Sequence, residues 1–165
     1  MVGVTGSVAA YKAAELVSRL KDLGHAVFPV LTPEGEKFIT QLTFDALLQK
    51  REQKAIAHID YASNADLVVI APASANTIGK IAGGIADNLL TSIIMAATCP
   101  KIIAPAMNTG MWDNPIVQAN ITKLKELGYH FVEAEDGTLA CGLVGKGRLA
   151  RLENILAKID EVTNK

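Results

Sequence analysis

The sequence predicts a single α/β domain of three layers, α/β/α, in which a doubly wound parallel sheet lies between helices. Short runs of β-branched and aliphatic residues alternate with longer segments whose apolar residues recur at helical spacing, which is typical of parallel strands joined by crossover helices. The length of 165 residues suits one domain, residues 1–165. Half of the residues are hydrophobic and only 5% are aromatic, so aliphatic side chains that fill buried parallel strands dominate.

Each predicted strand or helix is identified by its pattern of apolar residues and by the residue at which that pattern ends. Gly24 and Gly128 end two of the helices, and the pair Gly83-Gly84 interrupts a third. The fully apolar run after Asp66 indicates a central buried strand. In chain order the sequence predicts strands at 2–5, 26–31, 65–71, 101–104 and 129–133, helices at 9–23, 36–48, 78–97, 116–127 and 152–162, and a flexible glycine-rich loop at 136–148.

Charge and cysteine content exclude several classes of protein. With 16 Lys and Arg against 17 Asp and Glu, the formal net charge of -1 argues against a sequence-independent nucleic-acid binder. Two cysteines are too few for a disulfide framework, which predicts a reducing, cytoplasmic environment. The uncharged stretch 88–100 is shorter than the roughly 20 residues of a membrane span, and no export signal opens the chain. The mean hydropathy of +0.26 therefore predicts a deeply buried sheet or covered subunit interfaces.

The carboxyl ends of the predicted strands form the expected ligand site, because ligands of doubly wound sheets bind there. These ends are rich in Ser, Thr, Asn and Gly and poor in charge, which favours a small polar ligand over a metal ion. No His lies at metal-ligand spacing from a Cys or a carboxylate. The segments concerned are 5–7, 32–33, 72–77, 105–108 and the loop around Cys141.

Two of these turns suit a phosphate. Segment 3–9 joins a strand to a helix through small residues, so it is either a phosphate loop or only a tight turn. Thr5 stands where a dinucleotide fingerprint needs glycine, and Thr32 replaces the acidic residue that binds the NAD ribose, so NAD is disfavoured. Segment 74–77 opens a second helix, where its polar side chains are caps or ligands. One mononucleotide could span both turns.

Three further residues are candidates for chemistry. His58 follows a polar connector, where a structural hydrogen-bonding role is more common than catalysis. Cys141, flanked by glycine in the loop, could reach a ligand and exchange a proton, whereas Cys99 fits inert packing. Asn108 has the donors to bind a carboxylate, or it caps the following turn.

Four segments in order resemble the flavin-dependent cysteine decarboxylases, in particular the members that act on phosphopantothenoylcysteine. They are His58-Ile59, the run 71–77 (APASANT), the run 105–108 (PAMN) and the run 139–142 (LACG). The likeness extends from Gly3 to about Ala150. Relatives that decarboxylate peptidyl cysteine share the second and third segments but lack the cysteine motif.

The resemblance implies a Rossmann-like flavoprotein that decarboxylates 4'-phosphopantothenoyl-L-cysteine to 4'-phosphopantetheine in coenzyme A biosynthesis. It implies that His58 assists oxidative decarboxylation, that Asn108 holds the substrate carboxylate and that Cys141 donates the proton of the reductive half. It also implies a homotrimer or an assembly of trimers, up to a dodecamer. The implied FMN ligands are Gly6, Ser7, Val8, Thr32, Phe38, Ser74, Ala75, Asn76, Thr77 and Ala106, and the implied substrate clamp is Thr138, Leu139 and Ala140.

The chain departs from the family pattern after the cysteine motif, where residues 143–147 read LVGKG instead of Asp followed by Gly-Pro-Gly. Many bacterial relatives are fused to a phosphopantothenate–cysteine ligase, so the chain is expected to be a stand-alone enzyme or one domain of a bifunctional protein. A peptidyl-cysteine decarboxylase, a flavin prenyltransferase of the same fold and a non-catalytic regulatory homologue are the alternative functions.

Overall fold

The computed structural model describes residues 1–49, 58–140 and 142–164, whose strands form one five-stranded sheet and one hairpin. In chain order the elements are β1 (Val2–Val4), a 3-10 helix (Val8–Ala10), α1 (Tyr11–Asp22), β2 (Pro29–Leu31), α2 (Gln41–Leu48), α3 (His58–Asn64), β3 (Val68–Ala73), α4 (Ala75–Ala82), α5 (Leu89–Ala96), β4 (Lys101–Pro105), α6 (Thr109–Trp112), α7 (Pro115–Glu126), β5 (His130–Phe131), β6 (Glu135–Thr138), β7 (Val144–Arg148) and α8 (Leu152–Thr163).

The main sheet is parallel and its strands lie in the order β2-β1-β3-β4-β5, as in a doubly wound fold. From β1 the chain moves outward to β2 and then crosses back to β3, after which β4 and β5 follow on the other side. The connections after β1 and β3 therefore leave in opposite directions, and a crevice opens at the carboxyl ends of these two strands. The predicted three-layer α/β/α class is confirmed.

Both faces of the sheet are covered by helices. Adjacent residues of β4 alternate between the faces: Ile102 packs into one core and Ile103 into the other, and both are fully buried. This explains the predominance of aliphatic residues. The first core includes Leu16, Val17 and Leu20 of α1 with Ile155 and Ile159 of α8, and the second includes Ile78 of α4, Ile93 of α5 and Ile121 and Leu124 of α7.

The largest departure from the prediction is segment 136–148, which forms the antiparallel hairpin of β6 and β7 instead of a loop. Thr138 pairs with Val144, and Asp136 pairs with Lys146. The prediction was wrong because glycine weakens a strand on average, whereas here it marks close approach of other groups. The Met107 carbonyl oxygen lies against Gly147, at a position that a side chain would occupy.

The second helix begins at Gln41, five residues later than predicted. Residues 32–39 instead fold into consecutive turns, in which the Glu36 N–H donates to the Thr32 carbonyl at 3.0 Å and the Phe38 N–H to the Gly35 carbonyl at 3.0 Å. This compact turn keeps the chain at the carboxyl end of β2, where it closes one side of the crevice.

The predicted interruption at Gly83-Gly84 is confirmed, because α4 and α5 are separate helices. The Asn88 side chain accepts the Thr91 N–H at 3.1 Å and starts α5 afresh. Helix α6 was not predicted, since its four residues are too few to show periodicity. In the described part of the chain, no helix is long and apolar enough to cross a membrane.

Candidate active site

The carboxyl ends of β1 and β3 are joined by the hydroxyl group of Thr5, which follows β1 and is fully buried. Its Oγ1 donates to the carbonyl oxygen of Pro72 at 2.7 Å and accepts the backbone N–H of Ser74 at 2.8 Å. The Thr5 N–H donates to the same Pro72 carbonyl at 3.3 Å. The two turns predicted to share a ligand, in segments 3–9 and 74–77, are therefore held side by side in the crevice.

The turn after β3 begins helix α4. Ser74 is its N-cap, and the Ser74 Oγ accepts the Thr77 N–H at 3.3 Å. The Thr77 side chain is buried, and its Oγ1 lies 3.2 Å from the Ser74 Oγ. The N–H groups of Ala75 and Asn76 find no acceptor among the described residues. Because unpaired N–H groups at a helix start carry partial positive charge, this end of α4 attracts an anion.

The turn after β1 has the same character. The Ser7 Oγ accepts the Ala9 N–H at 3.2 Å and caps the 3-10 helix, while the Val8 N–H has no acceptor within the described ranges. The Val8 side chain is 55% exposed. A Cβ on Gly6 would lie 2.6 Å from the Glu34 Cβ, so only glycine fits here. The turns after β1 and β2 thus pack directly against each other.

The end of β2 is fixed by Thr32, which is buried. Its N–H donates to the Val4 carbonyl at 3.0 Å, and its Oγ1 accepts the Gly35 N–H at 3.1 Å. A Cβ on Gly35 would lie 2.6 Å from the Val4 carbonyl oxygen. The structure therefore places Thr32 at the predicted edge but uses its side chain to shape the turn. Phe38 is 51% exposed, so its ring is available at the rim.

The end of β4 brings two further predicted residues to the same edge. Ala106 is buried, and its N–H donates to the Ala73 carbonyl at 3.0 Å, which places it beside the start of α4. Asn108 is half-buried and is the N-cap of α6, where its Oδ1 accepts the Gly110 N–H at 2.8 Å. The capping role considered from the sequence is therefore confirmed for this oxygen.

The hairpin of β6 and β7 is seated on the segment that carries Asn108. The Met107 N–H donates to the Gly147 carbonyl at 2.9 Å. A Cβ on Gly147 would clash with the Met107 carbonyl oxygen, and a Cβ on Gly145 would lie 2.7 Å from the Thr109 Oγ1. Only glycine at these positions allows β7 to lie so close to residues 107–109.

The tip of the hairpin contains the predicted substrate clamp. The Leu139 N–H donates to the Leu143 carbonyl at 2.8 Å, and the Gly142 N–H donates to the Leu139 carbonyl at 2.9 Å. Leu139 is half-buried, whereas Thr138 and Ala140 are exposed. Thr138 thus ends β6, and Leu139 and Ala140 follow it at the tip of the hairpin.

The two residues expected to do the chemistry are not placed. His58 is the first residue of α3, but its side chain lies outside the described residues, and so does Cys141 as a whole. The structure brings together the predicted cofactor residues of the turns after β1, β3 and β4, and it leaves the positions of these two side chains as predictions.

A small charged network lies beneath the hairpin. Glu133 accepts a hydrogen bond from the Lys125 Nζ at 2.8 Å and forms an ion pair with the Lys146 Nζ at 3.8 Å. The Lys125 hydrogen bond is the main reason that the pKa of the Glu133 carboxyl is lowered, and it outweighs partial desolvation. The Lys146 Nζ also lies 5.3 Å from the centre of the Trp112 ring, a cation–π contact that ties β7 to α6.

The opposite edge of the sheet has an open cavity of about 270 Å³ between the amino ends of β4 and β5, lined by residues 98–101 and 127–130. It faces away from the crevice and shares no residue with it. In the described part of the chain, no cluster of three His, Cys, Asp or Glu side chains could hold a metal ion.

Sequence reasoning placed Thr5 in the expected ligand segment 5–7 but assigned no role to its hydroxyl group. The available signal was a hydroxyl residue at the end of an otherwise apolar buried strand, where a polar group needs a partner. Thr109 was missed. Its Oγ1 is buried and has no hydrogen-bond partner among the residues that the structure describes.

A doubly wound sheet with two helix starts in its central crevice is typical of α/β proteins that bind nucleotides. A sequence model described as Flavoprotein matches residues 1–164. The chain belongs to this flavoprotein family.

Two individual relatives are similar to the chain over more than nine tenths of its length. The chain is 44% identical over 172 residues to a probable phosphopantothenoylcysteine decarboxylase of Streptococcus mutans, with 98% of the chain and 96% of that protein covered. It is 47% identical over 162 residues to the coenzyme A biosynthesis bifunctional protein CoaBC of Bacillus subtilis, with 93% of the chain covered. The chain spans 40% of the length of that bifunctional relative.

Among solved structures, the fold is similar to a mutant PPC decarboxylase in which serine replaces a cysteine, complexed with pantothenoylaminoethenethiol. The TM-score is 0.88 at 36% identity, with 99% of this chain and 97% of the other covered. The predicted resemblance to the flavin-dependent cysteine decarboxylases is confirmed.

Proposed function

We propose that this chain catalyses the FMN-dependent decarboxylation of 4'-phosphopantothenoyl-L-cysteine to 4'-phosphopantetheine, a step of coenzyme A biosynthesis. The observation that carries the proposal is the combination of the 44% identical relative, matched over 96% of its length, with the paired helix starts in the crevice. The proposed compartment is the cytoplasm, as the low cysteine content suggests.

The residues of the crevice fit the phosphate of a mononucleotide. The unpaired N–H groups of Val8, Ala75 and Asn76 and the hydroxyl of Ser7 are donors of the kind that an anion needs, and Ser74 caps the helix start that presents two of them. No Asp or Glu lies in segments 5–8 or 72–77, so these two turns set no negative charge against the phosphate. Because the two turns lie side by side, they form a single site for one phosphate group, which agrees with FMN rather than with a dinucleotide. In addition to these residues, Gly6, Thr32, Phe38, Thr77 and Ala106 would hold FMN.

Bound FMN would supply a hydride acceptor and donor, and the protein residues would orient the substrate and manage protons. We assign Asn108 to the substrate carboxylate, because it lies at the end of β4 beside the turns that would hold FMN. Thr138, Leu139 and Ala140 would lie over the substrate and exclude water. By the resemblance, His58 would assist the loss of CO₂ and Cys141 would donate a proton to the substrate carbon.

The proposed assembly is a homotrimer or a set of trimers. Large apolar side chains are exposed on the loop after α4 and on α5, α6 and α7, which a partner subunit would cover. They are Ile85, Leu89, Met95, Met111 and Ile116, and the last is 71% exposed. Where the full-length protein continues beyond this chain, we propose a phosphopantothenate–cysteine ligase domain as its partner.

An absorbance spectrum followed by a turnover assay tests the proposal on one sample. Purified protein should be yellow, contain FMN and release CO₂ from 4'-phosphopantothenoyl-L-cysteine. Colourless protein that does not take up added FMN would refute the proposal. Flavin-loaded protein that acts only on a peptide with a C-terminal cysteine, or only prenylates flavin, would identify one of the alternative enzymes, and inert protein would identify a regulatory homologue.

Two variants test the assigned roles. Cys141→Ser should release CO₂ but accumulate the oxidised enethiol, because the final protonation lacks its donor; a normal yield of phosphopantetheine would show that Cys141 only packs. His58→Asn should retain FMN and lose CO₂ release, and turnover close to that of the unmodified protein would contradict its role. The pantothenoylaminoethenethiol in the similar solved structure is an enethiol of the kind expected from Cys141→Ser.

A further inference from the structure

The contact between Thr109 and the hairpin contains an unpaired polar group. The Thr109 Oγ1 is fully buried and has no hydrogen-bond partner within the described parts of the chain. Gly145 of β7 lies directly against it: a Cβ on Gly145 would be 2.7 Å from this oxygen and 2.8 Å from the Thr109 Cγ2. A hydroxyl that is buried without a partner opposes the contact that buries it.

The same contact lies next to the proposed substrate site. Thr109 directly follows Asn108, which caps α6. The Met107 N–H, on the other side of Asn108, donates to the Gly147 carbonyl at 2.9 Å. Two contacts from β7 therefore flank Asn108, and of the two only the hydrogen bond from Met107 satisfies a polar group.

From this geometry we infer that Thr109 is a positioning residue, whose unpaired hydroxyl weakens the seating of the hairpin beside Asn108. When β7 lies on residues 107–109, the hydroxyl is buried and unsatisfied. When β7 moves away, water can satisfy it. Thr109 and Gly145 thus set the balance between a seated and an unseated hairpin, because glycine at position 145 leaves room for the Thr109 side chain when the hairpin is seated.

Substitution of Thr109 by valine isolates the effect of the hydroxyl, because a methyl group of similar size replaces it. Seating then buries an apolar group instead of an unpaired hydroxyl, so it becomes more favourable. The Met107 amide, bonded to Gly147, should exchange its hydrogen about tenfold more slowly. The Val132 amide, which donates to the Ile103 carbonyl at 2.9 Å in the main sheet, is the internal reference and should be unchanged.

Substitution of Gly145 by alanine has the opposite effect, because the added Cβ collides with Thr109. Exchange of the Met107 amide should become about tenfold faster, as expected when a backbone contact is forced open. The double variant Gly145→Ala with Thr109→Ala removes both colliding atoms and should recover most of the lost protection. Thr122→Val, on the exposed side of α7, is the matched control and should change neither amide.

Amide hydrogen exchange on the purified chain without added substrate tests the inference. An unchanged or faster Met107 amide in Thr109→Val would overturn it, and so would an equal gain of protection at Val132, which would indicate general stabilisation. The result expected for substrate rests on the proposed function: KM for 4'-phosphopantothenoyl-L-cysteine should fall in Thr109→Val and rise in Gly145→Ala at equal flavin content. Exchange as expected in a chain without turnover would refute the proposed function and leave the seating inference intact, whereas turnover with unchanged exchange would refute the inference.

Discussion

Replacement of Thr5 by valine should separate the turns that form the crevice, although the side-chain volume hardly changes. Valine removes the hydrogen bond to the Pro72 carbonyl at 2.7 Å and the bond from the Ser74 N–H at 2.8 Å. Each is worth about 1 kcal/mol net, and leaving the partly buried Ser74 N–H unpaired adds about 1–2 kcal/mol. We therefore expect Thr5→Val to lower the free energy of unfolding by about 3–4 kcal/mol.

Thr5→Ser is the matched comparison, because serine keeps both hydrogen bonds and removes only a methyl group. Its cost should be about 1 kcal/mol, the value of one buried methylene-sized group. Urea unfolding measures both variants, and equal slopes with denaturant would show that the unfolded states are comparable. Titration with FMN should show at least a tenfold loss of affinity for Thr5→Val and a small change for Thr5→Ser. The reason is that the Thr5 hydrogen bonds hold together the two turns that would bind the phosphate.

The relative stabilities of Thr5→Val and Thr5→Ser show whether the hydroxyl or the methyl group of Thr5 matters. If serine is as destabilising as valine, the methyl group and not the hydroxyl is what matters at this position. If Thr5→Val unfolds at the same urea concentration as the unmodified protein, the Thr5 hydrogen bonds contribute nothing to stability, and the claim that they hold the two turns of the crevice together is wrong.

Three further outcomes are expected. Gly35→Ala should lower the free energy of unfolding by about 2 kcal/mol, because the added Cβ would meet backbone atoms. Gly79→Ala, whose Cβ would have 3.7 Å of clearance, should raise it by about 0.5–1 kcal/mol through helix propensity. Urea unfolding compares the two variants. Ser74→Ala should lower stability by about 1 kcal/mol through loss of the α4 cap, and it should weaken FMN binding in the same titration. The pKa of Glu133 is lowered in the folded state, so its ion pair with Lys125 should stabilise the protein above the ordinary carboxyl pKa, and this contribution should be lost as the pH falls through the lowered value. Lys125→Met should raise the Glu133 pKa, which an NMR titration measures. The change in stability should stay below about 1 kcal/mol because the carboxylate is largely exposed.

The fold could be predicted from the sequence because its elements are locally encoded. Aliphatic runs specify strands that are buried on both faces, and the Gly24 and Gly128 stops bound helices α1 and α7. The hairpin of β6 and β7 could not be predicted in this way. Its glycines are required by contacts with Met107 and Thr109, residues that are more than thirty positions away in the chain. Strand propensity averages over environments and cannot register one such contact.

The edge that carries the site could be predicted for a related reason. Parallel strands bring their carboxyl ends to one side of the sheet, so polar residues after separate strands must meet there. Which polar atoms are available to a ligand is not a local property. Thr77 and Thr32 look like ligands by residue type, yet both are buried, and their hydroxyl oxygens accept hydrogen bonds from the Ser74 Oγ and the Gly35 N–H, so only their O–H donors are left for a ligand.

Residue type alone therefore does not show which atoms would bind an anion in the crevice. Hydroxyl groups of the crevice largely hold the protein together: Thr5 joins β1 to β3, and the Ser74 Oγ caps α4. In the described part of these two turns, the backbone N–H groups of Val8, Ala75 and Asn76 remain unpaired. A phosphate bound there would depend on where the backbone lies more than on which side chains line the crevice. Buried residues that fix the backbone, with Thr5 first among them, should therefore affect cofactor affinity more strongly than exposed residues at the rim such as Phe38.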